Sequence, residues 1–390
     1  MRILYLIDSL GPGGAERSLA AMAPLYTRKG IELEVAFLHD RAGVRPDLEA
    51  AGAGLFSLAG RGGRAGWTRR VHRLLASRRP DLLHTTLFEA DVTGRVGATL
   101  TGVPVVSSLV NVAYGADQAA TPGVRRWKVR GAQLADALTA RRVVRFHANA
   151  SHIADVMAGR LRVPRDRIEV IPRGRDPELL GRRDPARRAR ARAGLGVSGD
   201  SPLLLAVARH EHQKGLDVLL EALPAVLARA PGARLLVAGR QGNQTPLLRA
   251  AADQLRLDGA ATFLGARSDV ADLLCAADVL VIPSRWEGLS NVLIEAMALE
   301  APVVASDLPT LHDAVDDGDT ARLVPSGDPA RLAAAIVANL EDPAAAAARA
   351  ARARQRFLDR FTIDRVVDRM LAFYGHALAA GPRRSRATAP

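Results

Sequence analysis

One cysteine stands among 390 residues. It is Cys275, in "LLCAADVLV", so the chain can build neither an internal disulfide nor a thiolate zinc cluster, and its apolar neighbours mark it as a small buried filler. Aromatic residues make up only 4 %, and no basic run is interleaved with the aromatic platforms on which unpaired bases stack. Nucleic acid is therefore not an expected partner. Long hydrophobic runs are missing as well: none reaches the roughly 18 apolar residues of a membrane span. The amino-terminal "MRILYLIDSLGPGG" is broken by Asp8 and glycines before it has the length of a signal peptide. A soluble, cytoplasmic protein is the expectation.

Lysine is scarce too, with Lys29, Lys128 and Lys214 the three among 54 cationic residues. The net charge of +13 is uneven: residues 1–175 hold 27 Lys and Arg against 15 Asp and Glu, and residues 176–390 hold 27 against 26. A basic first half suits a phosphorylated acceptor or anionic lipid head groups, with peripheral docking on the inner face of a membrane as one outcome. Arginine-rich solvated helices are the alternative.

The chain does have a globular composition, 48 % hydrophobic and 24 % charged, at a length that calls for two domains. Short β-rich runs alternate with helical patterns throughout, the mark of parallel sheets covered by helices. The first half offers "RILYLIDSL", "ELEVAFL", "DLLHTTL", "PVVSSLV", "RFHANA" and "IEVIP". The second offers "PLLLAVAR", "RLLVAG", "ATFLG", "DVLVIPS", "PVVASD" and "ARLVP". Both halves open as strand, polar turn, helix, strand, so the expected class is α/β, with two Rossmann-like, doubly wound domains at 1–175 and 201–360. Residues 176–200 read as a linker whose arginines lie on a solvated short helix. A helix at 361–379, apolar at Ile363, Val366, Val367, Met370 and Leu371, is expected to pack back onto the first domain, and 381–390 to be a disordered tail.

Ligands of open parallel sheets gather beyond the carboxyl ends of the strands, which singles out three loops. In "GPGG", Gly13 and Gly14 let backbone amides approach a phosphate or sugar at a helix start, or simply make a tight turn. A dinucleotide fingerprint is excluded because Glu16 occupies its last glycine position. In "ARHEHQKG", Arg209 and Lys214 flank one strand-to-helix corner and can both reach a diphosphate, a solvated corner being the alternative. In "PSRWEGLSNVLIEAM", Glu287 precedes a helix and Glu295 lies in its second turn. Burying either acid calls for hydrogen-bond partners such as sugar or ribose hydroxyls. The amides of Gly288, Leu289 and Ser290 at the helix start can take phosphate oxygens. A helix-entry acid at Glu287 and a partly exposed surface acid at Glu295 are the plainer alternatives.

These stretches, in order with "IEVIPRGRD" and "PVVASDLPTLHDAVDDGDTARLVPSGDPARLA", resemble the retaining, family four glycosyltransferases of GT-B fold over nearly the whole chain. The resemblance implies two Rossmann-like domains facing across a cleft. It implies a hexosyltransferase that moves a sugar from a nucleotide-diphosphate sugar to a glycan or lipid-linked acceptor in cell-envelope or exopolysaccharide synthesis, with no cofactor and no metal. Glu287 would hold the transferred sugar, Glu295 the donor ribose, and Arg209 and Lys214 the leaving diphosphate, with the base against the backbone of Leu264 and Gly265. Many relatives carry a histidine where this chain reads "SSLVNVAYG", with Asn111 in its place. His84 is the substitute expected on the acceptor side, a satisfied structural histidine being the alternative. Arg173 stands where asparagine is common. A nucleotide-sugar epimerase and a non-catalytic binding protein are the rival readings.

Overall fold

The computed structural model describes residues 1–114, 126–198 and 201–380. The expected tail at 381–390 and the "GADQAATPG" that follows "SSLVNVAY" lie outside the described residues. The chain divides into two compact units, Met1–Gly174 with the segment from Ile363 onward, and Arg175–Thr362.

In the first unit, strands β1 (Arg2–Ser9), β2 (Glu32–His39), β3 (Gly54–Ser57), β4 (Leu82–Thr86), β5 (Val105–Leu109), β6 (Val143–Ala148) and β7 (Ile168–Val170) form a parallel sheet. Their order is β3-β2-β1-β4-β5-β6-β7. The apolar runs are nearly continuous because helices cover both faces. Along β1, Ile3, Tyr5 and Ile7 pack with Leu19, Tyr26 and Tyr374, while Leu4 and Leu6 pack with Val71, Leu75 and Phe146. The period of two divides one strand between two cores. Strand β3, "GLFS", was not among the expected strands: two half-buried residues between two exposed ones make no long apolar run.

In the second unit, β8 (Leu203–Val207), β9 (Arg234–Ala238), β10 (Ala261–Gly265), β11 (Val279–Ile282), β12 (Val303–Ser306) and β13 (Arg322–Val324) run in parallel. Their order is β10-β9-β8-β11-β12-β13. Both sheets reverse their winding beside the first strand, between β1 and β4 and between β8 and β11. The quoted loops emerge at these switch points.

The stretch expected as a solvated linker is instead folded onto the second unit. Asp176 and Asp184 cap the short helices Pro177–Leu180 and Pro185–Gly194 with their side chains. Arg187 Nε reaches Asp272 at 2.7 Å, and Arg188 Nη2 reaches Asp278 at 2.6 Å. Arg192, 3 % exposed, donates to the carbonyls of Ala276 and Ser198 at 3.0 and 2.7 Å. Guanidinium forks satisfy carbonyls that the end of helix Val270–Ala276 leaves without intrahelical partners. Arginine density that reads as solvation is therefore docking, and the first boundary falls between Gly174 and Arg175. The helix Ile363–Ala380 buries Val366, Val367, Met370, Phe373, Tyr374 and Ala377 in the first unit. Among the described residues no helix is long and apolar enough to cross a membrane.

Candidate active-site residues in each unit

The second unit holds the densest constellation. Gly215 has φ 60°, and a Cβ there would stand 2.0 Å from the Pro283 carbonyl oxygen. The loops after β8 and β11 can touch only because residue 215 has no side chain. They interlock further: Arg285 N donates to Gln213 O at 2.8 Å, Gln213 Nε2 donates to Trp286 O at 2.9 Å, and the Arg285 guanidinium forks onto Asp217 at 2.8 and 2.6 Å. Burial opposes ionisation of Asp217, yet that fork holds its carboxyl below the usual carboxylate range.

This clamp brings Lys214 and Glu287 together. Lys214 Nζ pairs with Glu287 Oε1, and Ser284 Oγ donates to the same oxygen at 2.8 Å. Glu287 is thus neither a lone helix-entry acid nor independent of the expected diphosphate lysine. Oε2 takes no hydrogen bond from the described residues and is the oxygen left for a ligand hydroxyl. Arg209, with a side chain 52 % exposed, lies 3.9 Å from Glu211, outside hydrogen-bond range. Its fork is available to an anion.

Glu295 is held as well. Arg175 Nε donates to its Oε1 at 2.7 Å, and both side chains are largely buried. The acid is therefore half-buried and ion-paired, and its partner Arg175, at the start of the unit, was not evident from the sequence. Leu289 and Ser290 are buried and Gly288 half-buried at the entry to helix Asn291–Ala298, so what they can offer a ligand is backbone. Leu264 leans on the core of the unit, and the Gly265 carbonyl takes the Gly239 amide at 2.8 Å.

In the first unit, Gly13 precedes helix Gly14–Arg28 as expected, but the Glu16 carboxylate folds up beneath it. A Cβ on Gly13 would meet Glu16 Oε2 at 2.2 Å. Burial raises the Glu16 pKa against the pull of its own amide, Arg173, Ser9 and Arg41. Of the two ligands expected at this turn, a phosphate would face a carboxylate already seated there, so a hydroxyl suits it better. At the end of β1, Asp8 accepts the Ala90 amide at 2.8 Å, and burial pushes its pKa up to about 6. Neither acid was singled out as a site residue in the sequence, although both flank "GPGG".

His84 corrects an expectation. Its Nδ1 lies 2.8 Å from Tyr374 Oη and its Nε2 2.7 Å from Ser108 Oγ. Ser108 Oγ in turn lies 2.7 Å from His147 Nδ1, and His147 Nε2 lies 2.8 Å from the Ile171 carbonyl. A carbonyl only accepts, so His147 carries its proton on Nε2. The direction then propagates: Ser108 donates to His147, His84 Nε2 donates to Ser108, and Tyr374 donates to His84. Burial keeps both rings neutral, lowering the His147 pKa to about 4 and that of His84 well below its ordinary value. With both nitrogens occupied, His84 is a structural member of a relay and not a free acceptor contact. The relay walls a cavity of about 40 Å³ that Asn149 and Arg173 also line. Asn149 Oδ1 is buried without a hydrogen-bond partner among the described residues. Asn111 is exposed just beyond β5.

Residues 12–179 match the family described as Glycosyltransferase Family 4, and residues 201–342 match glycosyl transferases group 1. A D-inositol 3-phosphate glycosyltransferase of Saccharomonospora viridis is 30 % identical over 94 % of this chain and 90 % of its own length. The chain belongs to the group 1, family 4 glycosyltransferases. Another protein of the same description, from Catenulispora acidiphila, is 34 % identical over 75 % of this chain and 72 % of its own length. Among solved structures, Anabaena HepE in complex with UDP-glucose is similar at TM-score 0.85 and 23 % identity, over 96 % of this chain and 99 % of that one. The lipopolysaccharide glycosyltransferase WaaG is similar at TM-score 0.75 and 18 % identity, over 94 % and 98 %. Both establish the GT-B fold. As a member of this family, the chain is an enzyme that transfers a sugar from a nucleotide-diphosphate sugar.

Proposed function

We propose that this glycosyltransferase holds its donor in the second unit and transfers the sugar with retention of anomeric configuration, without a metal, to an acceptor hydroxyl bound by the first. The observation that carries the reading is the Lys214–Glu287 pair fixed between two interlocked loops at a sheet switch point. As the glycosidic bond breaks, negative charge grows on the diphosphate. Lys214 and the exposed Arg209 are the cations aimed there, and fixed charges of that kind lower the barrier because they need no reorganisation. Glu287 orients Lys214 through Oε1 and offers Oε2 to a sugar hydroxyl. Glu295, steadied by Arg175, suits the paired hydroxyls of a ribose. The leaving phosphate is the group placed to accept the proton of the attacking hydroxyl.

The relatives' names favour a phosphorylated cyclitol as acceptor, and Arg173 with the basic first unit supports an anionic one. A glycan or lipid-linked acceptor is the second reading, favoured by the general basicity of residues 1–175. The test is to incubate the enzyme with UDP-, GDP-, ADP- and dTDP-sugars, with each acceptor class, with and without chelator, and to read the anomeric configuration of the product by NMR. Retention in chelator supports the proposal. Inversion, or a strict need for added metal, refutes it. Sugar interconversion without acceptor would instead identify an epimerase, and tight nucleotide binding without turnover a binding protein.

A further inference from the structure

The helix Arg126–Ala140 has two unlike faces. One is anchored in the first unit: Asp136, buried, takes Arg95 Nη1 at 2.5 Å and Tyr114 Oη at 2.7 Å, and Ala140 is fully buried. The other exposes Trp127 by 65 %, Leu134 by 61 % and Leu138 by 53 %. Positions 127, 130, 134, 138 and 141 recur every three or four residues, so these side chains form one stripe. Single exposed apolar residues are ordinary; three large ones aligned on one helix are a patch.

The patch is also cationic. Arg130 and Lys128 are exposed on the helix and Arg141 follows it directly. Arg160 and Arg162 come from the end of the neighbouring helix Ser151–Leu161 and its cap. Arg130, Arg141, Arg160 and Arg162 line a groove of about 230 Å³ together with Leu134 and Leu138, and no carboxylate lines it. The one acid of the helix, Asp136, is turned inward onto Arg95.

We propose that this face docks the protein on an anionic lipid surface, with Arg130, Arg141 and Arg162 on headgroup phosphates and Trp127, Leu134 and Leu138 at the boundary with the acyl chains. An amphipathic helix with cations beside an aromatic and aliphatic stripe has the form of a monotopic membrane contact. A nucleic-acid backbone would satisfy the arginines but leave the two leucines in water. A second copy related by a two-fold axis would bury the leucines but set the arginines of one face against those of the other. Lipid meets both demands, and the proposal does not rest on the donor or acceptor assignments above.

The full chain is to be sedimented with vesicles of phosphatidylcholine alone and of phosphatidylcholine with phosphatidylglycerol in equal parts, across a salt series. Wild type is expected to pellet with the anionic vesicles and to be released by salt. An arginine near such a surface is worth about fivefold in binding, so Arg130→Gln with Arg141→Gln should weaken it roughly thirtyfold at low salt. Leu134→Gln with Leu138→Gln should weaken it at least about tenfold. Both variants change exposed positions and should keep the wild-type melting temperature and nucleotide response. Equal pelleting with neutral and anionic vesicles overturns the proposal, as do variants that pellet like wild type. A wild type that ignores both vesicles overturns it too, and if it also forms a dimer that the leucine variant loses, the occupant is a second copy.

Discussion

At the scale of single residues, Asp8 offers a pH test. Its native pKa of about 6 lies above the unfolded value of 3.8, so the native state binds this proton more tightly than the unfolded chain. The stability that proton contributes is fully present below the unfolded pKa and is lost as pH rises through about 6. Asp8→Asn keeps the acceptor for the Ala90 amide and removes the titration. The stability of the variant relative to wild type should therefore rise by about 2 kcal/mol between about pH 4 and pH 7. Urea unfolding at both ends of that window measures it, and a constant difference would contradict a buried acid. Lys214→Ala should lower kcat by at least about a hundredfold, as loss of a transition-state donor does, with the fold intact. Near-normal turnover would remove Lys214 from the diphosphate site. Arg175→Ala and Glu295→Ala should each weaken nucleotide binding about tenfold, roughly what one charge-assisted bond contributes, and the double variant should be little worse than either. Additive losses in calorimetric titration would mean that Arg175 does not act through Glu295.

These residue pairs also show where sequence reading stops. Glu287 with Glu295, and Arg209 with Lys214, could be singled out because each pair falls within one short stretch of sequence. Their partners were not: Lys214 meets Glu287 73 positions away, and Arg175 meets Glu295 120 positions away. The expectation for His84 failed for the same reason. A strand end is visible in "DLLHTTL", but Tyr374, which occupies its Nδ1, arrives 290 positions later on the last helix.

Among the elements, most of the strands that could be read are buried on both faces, where apolar runs are unbroken, although the partly exposed β10 was read as well from "ATFLG". Strand β3 lacks that burial and left no run to find. The arginine-rich helix Pro185–Gly194 was misread because composition alone does not separate a guanidinium in water from one on a helix-end carbonyl. The loop after β8 makes the sharper prediction. Gly215→Ala would need a left-handed φ of 60° for alanine and would push its Cβ to 2.0 Å from Pro283 O. Strain at that φ alone costs about 1–2 kcal/mol, and the clash forces the two loops apart. The variant should therefore melt lower and lose most of its nucleotide affinity, whereas Gly232→Ala, where a Cβ meets nothing within 4 Å, should do neither. Equal behaviour of the two variants would mean that the contact between the loops does not shape the donor site.

At the scale of the whole molecule, each unit owns its cores. The clusters around β1 draw on residues 3–171 and 363–377, and those around β8 and β11 on residues 180–361. Cooperative unfolding follows shared burial, so two sets of cores without common members favour two calorimetric transitions. The donor assignment says which one a nucleotide should move. At a hundred times its dissociation constant a ligand stabilises the unit that binds it by about 2.7 kcal/mol. The matching nucleoside diphosphate should thus raise the transition of the second unit while the first stays near its original temperature, and Glu295→Ala should abolish the shift. Tryptophan identifies the transitions, since Trp286 lies in the second unit and Trp67 and Trp127 in the first. A shift confined to the first unit would place the nucleotide on the wrong sheet and overturn the donor site. A single transition that moves as a whole would show the two units unfolding as one, and the assignment would then rest on Glu295→Ala removing that shift.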